Sequence, residues 1–387
     1  MWVSRSVVEL RREFVSLALQ EGSNVSELCR RFKISRKTGY KWLERSRAEG
    51  ERFTDRSRRP LESPTRTAAA VEAKVVSLRQ EHPAWGGRKL RRRLEALGEQ
   101  GLPAASTMTE ILRRNGCLDA EEAAKHKAFI RFEHPRPNGL WQMDFKGHVA
   151  MRAGGRCHPL TVLDDHSRYS PCIAACADEK TQTVKDRLTE TFERYGLPER
   201  MTMDNGPPWG DGPGNPYTTL TVWLMRLGVR CGHSRPYHPQ TQGKDERMHR
   251  SLKAEAMQEI HEDLASWQAA FDAWRLVYNT QRPHQALDYA VPAQRYQPSP
   301  RRWTGRFIEP EYGPDDLVRH VQHGGWLSFR GHDVKVPKAF MGQTVAFRPT
   351  AEDGVWDIIF IAQRISQVNL RDALRDAKTK KIETNPD

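Results

Sequence analysis

Three acidic residues stand in sequence settings that suit a metal site. Asp144 lies within WQMDF and Asp204 within MTMDNG, two short apolar segments that are typical of β-strands. Glu246 stands near the start of a basic helix predicted over GKDERMHRSL. Carboxylate oxygens are the ligands that Mg²⁺ prefers, and two such ions about 3.5–4 Å apart are widely used to break and form phosphodiester bonds. A fold that brings the three acids together is therefore predicted to carry out metal-dependent phosphoryl transfer.

Each of these acids also has an ordinary structural explanation. An aspartate in an apolar strand can be a buried, hydrogen-bonded residue, Asp-Asn-Gly is a common turn, and a glutamate near a helix start complements the helix dipole. The combination favours catalysis, because Asp204 ends a strand at the edge where sites collect in α/β sheets. Carboxylates that are crowded together also repel one another unless a cation neutralises them.

The helix that carries Glu246 also carries basic residues. Arg250 and Lys253 follow Glu246 by four and seven positions, which places them on the same helical face, and Lys244 precedes it in a Gly-Lys turn. We expect these three cations to hold DNA phosphates beside the metals. The alternative is a basic face that is merely solvated.

The composition favours a polyanionic partner. The chain has 387 residues, which predicts roughly two to four domains. Its 62 Lys and Arg against 49 Asp and Glu give a net charge of +13, which suits nucleic acid. Residues 1–100 hold 23 basic and 13 acidic side chains, so most of the excess lies in the first quarter of the chain.

Other classes of protein are not indicated. The six cysteines show no Cys-x-x-Cys pair and no zinc-finger spacing, which predicts reduced, structural thiols. No apolar segment has the length of a signal-peptide core or a membrane span, and no phosphate-binding Gly-Lys-Ser/Thr loop is present. We expect a cytoplasmic protein.

Residues 1–50 have the pattern of a helix-turn-helix domain. Helices are predicted over residues 7–20, over SELCRRF with Asn24 or Ser26 as its cap, and over RKTGYKWLERS. A small core is predicted from Val25, Leu28, Phe32, Ile34, Trp42 and Leu43. The candidate DNA contacts at the start of the third helix are Arg36, Lys37, Tyr40 and Lys41. The alternative is a three-helix domain with a solvated basic face.

A second helical module is predicted over residues 67–131. Its three helical segments are AAAVEAKVVSLRQEH, GGRKLRRRLEALG and ASTMTEILRRNG, which suggest another helix-turn-helix. The middle segment carries a dense basic stripe, from which Arg88, Lys89 and Arg92 are candidate DNA contacts.

The pattern then changes to an α/β domain over residues 132–295. A meander of three strands is followed by alternating helices and strands, which predicts a mixed sheet with helices on its faces. Period-two alternation over residues 313–370 suggests a small β-barrel. Polar segments without periodicity predict linkers at residues 51–66 and 296–312 and a disordered tail at residues 371–387.

Several segments together resemble a known family. WQMDF, LTVLDDHSRY, MDNG, YHPQTQGKDER and YNTQRPHQAL closely resemble the integrase core of bacterial insertion-sequence transposases, the DDE superfamily related to retroviral integrases. The resemblance implies an RNase H-like catalytic fold with Asp144, Asp204 and Glu246 as catalytic residues and metal ligands. It implies a structural role for Asp164 and Asp165, and it extends more loosely to the C-terminal barrel as a DNA-binding domain.

The chain departs from this family's pattern in two places. Asp204 and Glu246 lie 42 positions apart, a longer spacing than is usual, and the Gly/Pro-rich loop PPWGDGPGNP can accommodate the excess. Asp245 occupies a position that is more often apolar, so it competes with Glu246 as the third ligand. Helix-turn-helix modules stand in place of the zinc-binding His/Cys domain of retroviral integrases.

These features predict a DNA transposase. The helical modules would recognise the terminal inverted repeats of its own element, and the core, with two Mg²⁺ or Mn²⁺ ions, would cleave the element ends and join them to target DNA. Joining two ends predicts at least a homodimer. Two alternatives remain open, namely a transposase-derived DNA-binding regulator without catalysis, and a metal-dependent nuclease that cuts without joining.

Overall fold

The computed structural model describes residues 6–50, 52–56, 66–118, 133–211, 215–233 and 243–371. The chain forms two compact units, residues 1–66 and residues 67–387. The α-helices are α1 (Val7–Ala18), α2 (Val25–Arg31), α3 (Arg36–Glu49), α4 (Ala69–Glu81), α5 (Gly87–Ala96), α6 (Ala105–Arg114), α7 (Thr181–Tyr195), α8 (Thr219–Arg226), α9 (Gly243–Ala256) and α10 (Leu264–Thr280). No helix among the described residues combines the length and the apolar character needed to cross a bilayer.

The strands fall into a central sheet and two C-terminal sheets. Those of the central sheet are β1 (Trp141–Phe145), β2 (Val149–Ala150), β3 (Arg156–Asp164), β4 (Cys172–Cys176), β5 (Arg200–Met203) and β6 (Arg230–His233). Those of the C-terminal sheets are β7 (Leu317–His320), β8 (Trp326–Phe329), β9 (His332–Lys335), β10 (Thr344–Pro349), β11 (Val355–Phe360) and β12 (Gln363–Asn369).

The first unit is a three-helix helix-turn-helix domain, which confirms the sequence prediction. The Asn24 side chain caps α2, and Ser35 caps α3, so each helix begins at a hydrogen-bonding residue. Gly39 permits the close approach of α3, because a Cβ there would lie 2.5 Å from Cys29 Sγ and 2.9 Å from a ring carbon of Phe14. The core contains the predicted Trp42 and Leu43, and also Phe14, Val15, Cys29 and Phe53.

The second unit begins with the helices α4 to α6, which share a core of their own. A Cβ at Gly87 would lie 2.8 Å from the carbonyl oxygen of Ala105, so this glycine lets α5 and α6 pack tightly. The helices are held to the rest of the unit through polar contacts. Arg93 donates to Gln281 at 2.6 Å, and the Ala84 amide donates to Glu255 at 3.2 Å. Both acceptors belong to the α/β domain that follows.

The central sheet is mixed, as the sequence predicted. Strand β1 lies antiparallel to β3 and parallel to β5, β5 lies parallel to β6, and β4 and β2 pair antiparallel with β3. Side chains alternate between the two faces of each strand. Trp141 and Met143 join a core that includes residues of α7 and α8. On the opposite face, Leu163 packs with residues of α9 and α10.

The C-terminal strands are present, but they form open sheets. Strands β7, β10, β11 and β12 form a four-stranded antiparallel sheet in the order β12-β11-β10-β7, and β8 and β9 form a separate hairpin. The rings of Phe329 in the hairpin and Phe347 in the sheet stack at 3.8 Å. Among the described residues no ladder closes these strands into the barrel that the alternation suggested. The predicted tail and most of the first linker lie outside the described residues.

Two buried aspartates fix the turn that follows β3. Asp164 is fully buried and accepts from the amide of Asn138 at 2.7 Å and from the amide and hydroxyl of Ser167 at 2.8 and 2.5 Å. Asp165 accepts from the amide of His134 at 2.7 Å and from Gln142 Nε2 at 2.8 Å. These contacts support the structural role implied by the resemblance.

We expect Asp164→Ala to lower the free energy of unfolding by roughly 2–4 kcal/mol, since it leaves several buried donors without an acceptor. Chemical denaturation would measure the loss. The control is Asp186→Ala, which removes an exposed carboxylate from α7 and should change stability by about 0.5 kcal/mol or less. Equal stability of the two variants would contradict the structural role.

Candidate catalytic site

Two of the predicted acids lie side by side at the ends of the central parallel strands. The β1–β5 register pairs Gln142 with Thr202, which places Asp144 level with Asp204 immediately after β5. After burial, the charge of Asp204 is the strongest influence that raises the pKa of the Asp144 carboxyl. The Asp204 loop is held by hydrogen bonds from the Gly206 amide to Oδ1 at 3.1 Å and between His233 Nδ1 and the Asp204 carbonyl at 2.7 Å.

The third acid was assigned by sequence to Glu246, and here the structure orients two candidates differently. Asp245 is 1% exposed and faces the sheet, whereas the neighbouring Glu246 is exposed. Asp144, Asp245 and His249 each offer one ligand atom, and these atoms lie within 4.8 Å of one another. The first turn of α9 therefore contributes one buried acid and one exposed acid beside the same strand end.

The packing of these acids is electrostatically unfavourable without a cation. Burial, and then the charge of Asp204, raises the pKa of Asp144 to about 7. Burial, and then the charge of Asp144, raises the pKa of Asp245 well above its ordinary value. The Oδ2 atom of Asp245 is buried and has no hydrogen-bond partner. Hard oxygen donors in a buried, mutually repelling group fit a divalent metal.

A threonine and a histidine complete the buried part of the site. Thr161, the cross-strand neighbour of Asp144, lies with its Oγ1 2.7 Å from His249 Nε2 and 3.0 Å from the Asp144 carbonyl oxygen. Burial, and then the charge of Lys146, lowers the pKa of His249 to about 3, so the imidazole is neutral. Sequence reasoning missed His249, although it follows Asp245 by one helical turn.

The basic residues of α9 occupy different environments. Lys244 Nζ lies 2.5 Å from Asp165 Oδ1, and Lys244 also donates to the Asp165 carbonyl oxygen at 3.2 Å. Burial, and then the charge of Arg168, lowers the pKa of Lys244. This ion pair ties the start of α9 to the end of β3. Arg250 and Lys253 are exposed, and a DNA contact for all three lysine and arginine residues stays a prediction.

The remaining candidate DNA contacts lie on two helices. The four from the first module lie on α3 and are exposed, and they are Arg36, Lys37, Tyr40 and Lys41. On α5, Arg88 and Arg92 are exposed, and Arg92 pairs with Glu95 at 3.1 Å. Lys89 is half-buried, so the basic stripe predicted on this helix does not lie wholly on its outer surface.

Family models match most of the chain in sequence order. Integrase core domain models match residues 134–239 and 227–292. A model of the IS481 family transposase C-terminal domain matches residues 316–375. A helix-turn-helix model matches residues 10–60 and a homeodomain-like model residues 38–112. The class defined by fold and site is thus a DNA-binding protein with an integrase catalytic core.

Insertion elements and retroviruses supply relatives of similar sequence. The chain is 26% identical to the uncharacterised 31.7 kDa protein of insertion element IS407 from Burkholderia multivorans, over 58% of this chain and 79% of that protein. It is 25% identical to the IS476 protein of Xanthomonas euvesicatoria, over 60% and 66% of the two chains. It is 27% identical to the Gag-Pol polyprotein of baboon endogenous virus, over 47% of this chain but only 10% of the polyprotein.

Among solved structures, a chain of the simian T-cell lymphotropic virus intasome in complex with PP2A regulatory subunit B56 gamma aligns over 76% of this chain and 99% of its own, with a TM-score of 0.35 and 16% identity. The family models and the insertion-element relatives together identify the chain. It belongs to the insertion-sequence transposases of the retroviral integrase superfamily.

The raised pKa of Asp144 predicts how the stability of the metal-free protein changes with pH. The folded protein retains a proton on Asp144 up to about pH 7, whereas the unfolded chain loses it near its ordinary value of about 4. Folding therefore binds a proton in that interval, and stability falls as pH rises through it. Thermal melting in chelator should show the decline, with a shallower slope for Asp144→Asn.

Mn²⁺ or Mg²⁺ should raise the melting temperature of the wild type most above pH 7, where the carboxylates are charged and available as ligands. Asp186→Asn, on an exposed part of α7, should match the wild type throughout. Identical pH slopes for the wild type and Asp144→Asn would show that this carboxyl is not held in its protonated form.

Proposed function

We propose that the protein binds the terminal inverted repeats of its own insertion sequence and catalyses metal-dependent cleavage and strand transfer at those ends. The observation that carries this proposal is the level placement of Asp144 and Asp204 at the ends of adjacent parallel strands, with Asp245 of α9 beside Asp144. The family matches support this class of reaction, and the crowded carboxylates support the proposal that it occurs beside them.

The metal ligands that we propose are Asp144, Asp204 and Glu246, for two Mg²⁺ or Mn²⁺ ions. When bound, such ions act as Lewis acids toward the attacking and leaving oxygens of a phosphodiester. Asp245 is the competing third ligand, because its Oδ2 accepts no hydrogen bond and lies within the same buried group. Thr161 and His249 position Asp245, since both lie against its carboxylate at 3.4 Å.

DNA recognition is assigned to surfaces away from the metal site. The exposed start of α3 fits a recognition helix whose four polar side chains reach base edges and phosphates. The exposed residues Arg88 and Arg92 on α5, and Arg250 and Lys253 on α9, would contact phosphates of the element end. Lys244 would contact the DNA from its position beside Asp165.

We further infer that the C-terminal strands form a DNA-binding domain, to which both the four-stranded sheet and the β8–β9 hairpin belong. The match to a transposase C-terminal domain and the stacking of Phe329 on Phe347 support this inference. At least a homodimer is proposed, because two element ends must be joined in one reaction. We propose the domain boundaries that the sequence predicts, namely residues 1–50, 67–131, 132–295 and 313–370.

Substitution of a metal ligand should abolish cleavage without loss of end binding, because the recognition helices are separate from the carboxylates. We expect Asp144→Asn, Asp204→Asn and Glu246→Gln each to reduce cleavage by at least about 10³-fold. Cleavage and joining would be followed on labelled element ends, with Glu259→Gln, an exposed glutamate just beyond α9, as the control.

The same assay separates the competing functions and the competing ligand. Nicked ends without joined products would favour a nuclease, and end binding without any cleavage by the wild type would favour a regulator. Near-normal cleavage by Glu246→Gln together with an inactive Asp245→Asn would reassign the third ligand to Asp245.

The recognition helix yields a second prediction. Residues 1–66 form a compact unit with its own core, so this fragment should bind end DNA in preference to random DNA, with affinity that falls steeply with salt. Arg36→Ala or Lys37→Ala should weaken binding, by roughly 1–3 kcal/mol if the residue reads a base. Arg47→Ala, exposed near the end of the same helix, is the control. A fragment without preference for end DNA would refute the assignment.

A further inference from the structure

Several basic side chains lie close together where α5 meets the catalytic domain. Lys89 of α5 is half-buried, and after burial itself the charge of Arg282 is the strongest influence that lowers its pKa, to about 7, with Arg247 and Arg79 acting in the same direction. His284 responds to the same charges, since burial, Arg282 and Lys89 lower its pKa well below the ordinary value. We call Lys89, Arg247, Arg282 and His284 the basic cluster, in which His284 is neutral because its pKa is lowered.

Two residues of this cluster have buried nitrogen atoms without a hydrogen-bond partner. Arg282 is 4% exposed, and its Nε and Nη1 atoms are buried without a hydrogen-bond partner. The Nε2 atom of His284 is likewise buried and without a partner. A buried guanidinium with unused donors is costly, and phosphate oxygens are the acceptors that match its planar fork.

The carboxylate near Lys89 is that of Glu255, and its oxygens accept hydrogen bonds from other groups. Glu255 is the acid that acts on Lys89, yet its Oε1 accepts from the Ala84 amide at 3.2 Å and its Oε2 from Trp274 Nε1 at 2.7 Å. Arg79 is engaged separately, because it donates to the carbonyl oxygens of Trp85 and Cys117 at 2.8 and 3.1 Å. The buried donors of Arg282 therefore stay without an acceptor from these neighbouring groups.

The position of the cluster indicates the source of the anion. Arg247 is exposed and directly follows Glu246 on α9, so the cluster opens beside the catalytic helix. We propose that Lys89, Arg282 and His284, reached past Arg247, form a binding site for a backbone phosphate of the DNA strand that leads to the catalytic carboxylates. This proposal rests on the proposed function for its ligand, and it makes the joint between α5 and the catalytic domain part of the DNA-binding surface.

The first test uses inorganic phosphate as the probe on the full chain. At constant ionic strength, phosphate should raise the melting temperature of the wild type and of Asp144→Asn. The shift should be largely lost in Lys89→Gln and in Arg247→Gln, the latter at an exposed position that should tolerate the change. Lys74→Gln is the matched control, because Lys74 is an exposed lysine of α4 paired with Glu99. Equal shifts in all variants would overturn the site.

The same variant separates a binding role from a structural one. Without phosphate at about pH 6, where Lys89 is charged, Lys89→Gln should melt at or above the wild-type temperature, since it removes repulsion within the cluster. A lysine that serves only packing would instead lower the melting temperature when replaced. A Lys89→Gln variant that is less stable and retains the phosphate shift would refute the proposal.

The second test identifies the source as DNA. Element-end duplexes with a single neutral methylphosphonate linkage, moved along each strand, should reveal a position that weakens binding by the wild type but not by Lys89→Gln, whose salt slope should be smaller by about one. If every linkage affects both proteins equally, the phosphate does not come from the DNA backbone. A phosphate shift that persists in a protein with no activity on element ends would count against the proposed function alone.

Discussion

The structure depends on holding several carboxyl groups in one small volume at the end of two parallel strands. Asp144 and Asp204 are placed level by the sheet register, and Asp245 is pressed against the same strand by α9. Burial, and then repulsion between them, raises the pKa of Asp144 and of Asp245, and the repulsion would open the site if the elements were free to separate. The hydrophobic cores on both faces of the sheet supply the opposing free energy, since they bury large side chains of α7, α8 and α10.

An ion pair at its first turn helps to fix the position of α9. Lys244 pairs with Asp165, and Asp165 in turn holds the His134 amide and Gln142, so the helix start is joined to the β1–β3 pair by charge and hydrogen bonds. Further along α9, Met248 and Leu252 pack into the core with α10. The rotation of the helix about its axis follows from these contacts, and it turns Asp245 inward and Glu246 outward.

Much of the fold was accessible from the sequence because the relevant signals are local. Short apolar segments placed Asp144 and Asp204 at strands, and the cap residue Asn24 located the second helix of the first module. The choice between Asp245 and Glu246 was not accessible, because adjacent positions differ by about 100° around a helix axis and only tertiary contacts set that angle. The buried environment of Lys89 was missed for the same reason, since α5 alone reads as a basic surface helix.

The barrel expectation shows a different limit of local reasoning. Alternation predicts that strands exist and which face is buried, but closure depends on which edges pair, and β8 and β9 pair with each other instead of extending the four-stranded sheet. Tyr217 of the catalytic domain packs edge-on against Phe340, and Gln363 pairs with the Cys231 backbone at 2.9 and 3.1 Å. The C-terminal sheets are thus joined to β6, one strand away from Asp204.

Helix α9 carries residues toward two groups of opposite charge, the carboxylates beside Asp144 and the basic residues beside Lys89. Its inward face carries Asp245 and His249 toward a group with too much negative charge, and Arg247 lies toward a group with too much positive charge. Each group calls for a different counter-charge. On the proposed function, a divalent metal would offset the carboxylates, and the phosphates of a DNA strand would offset the cations. Both ligands would then be needed before the charges on the two sides of α9 are balanced.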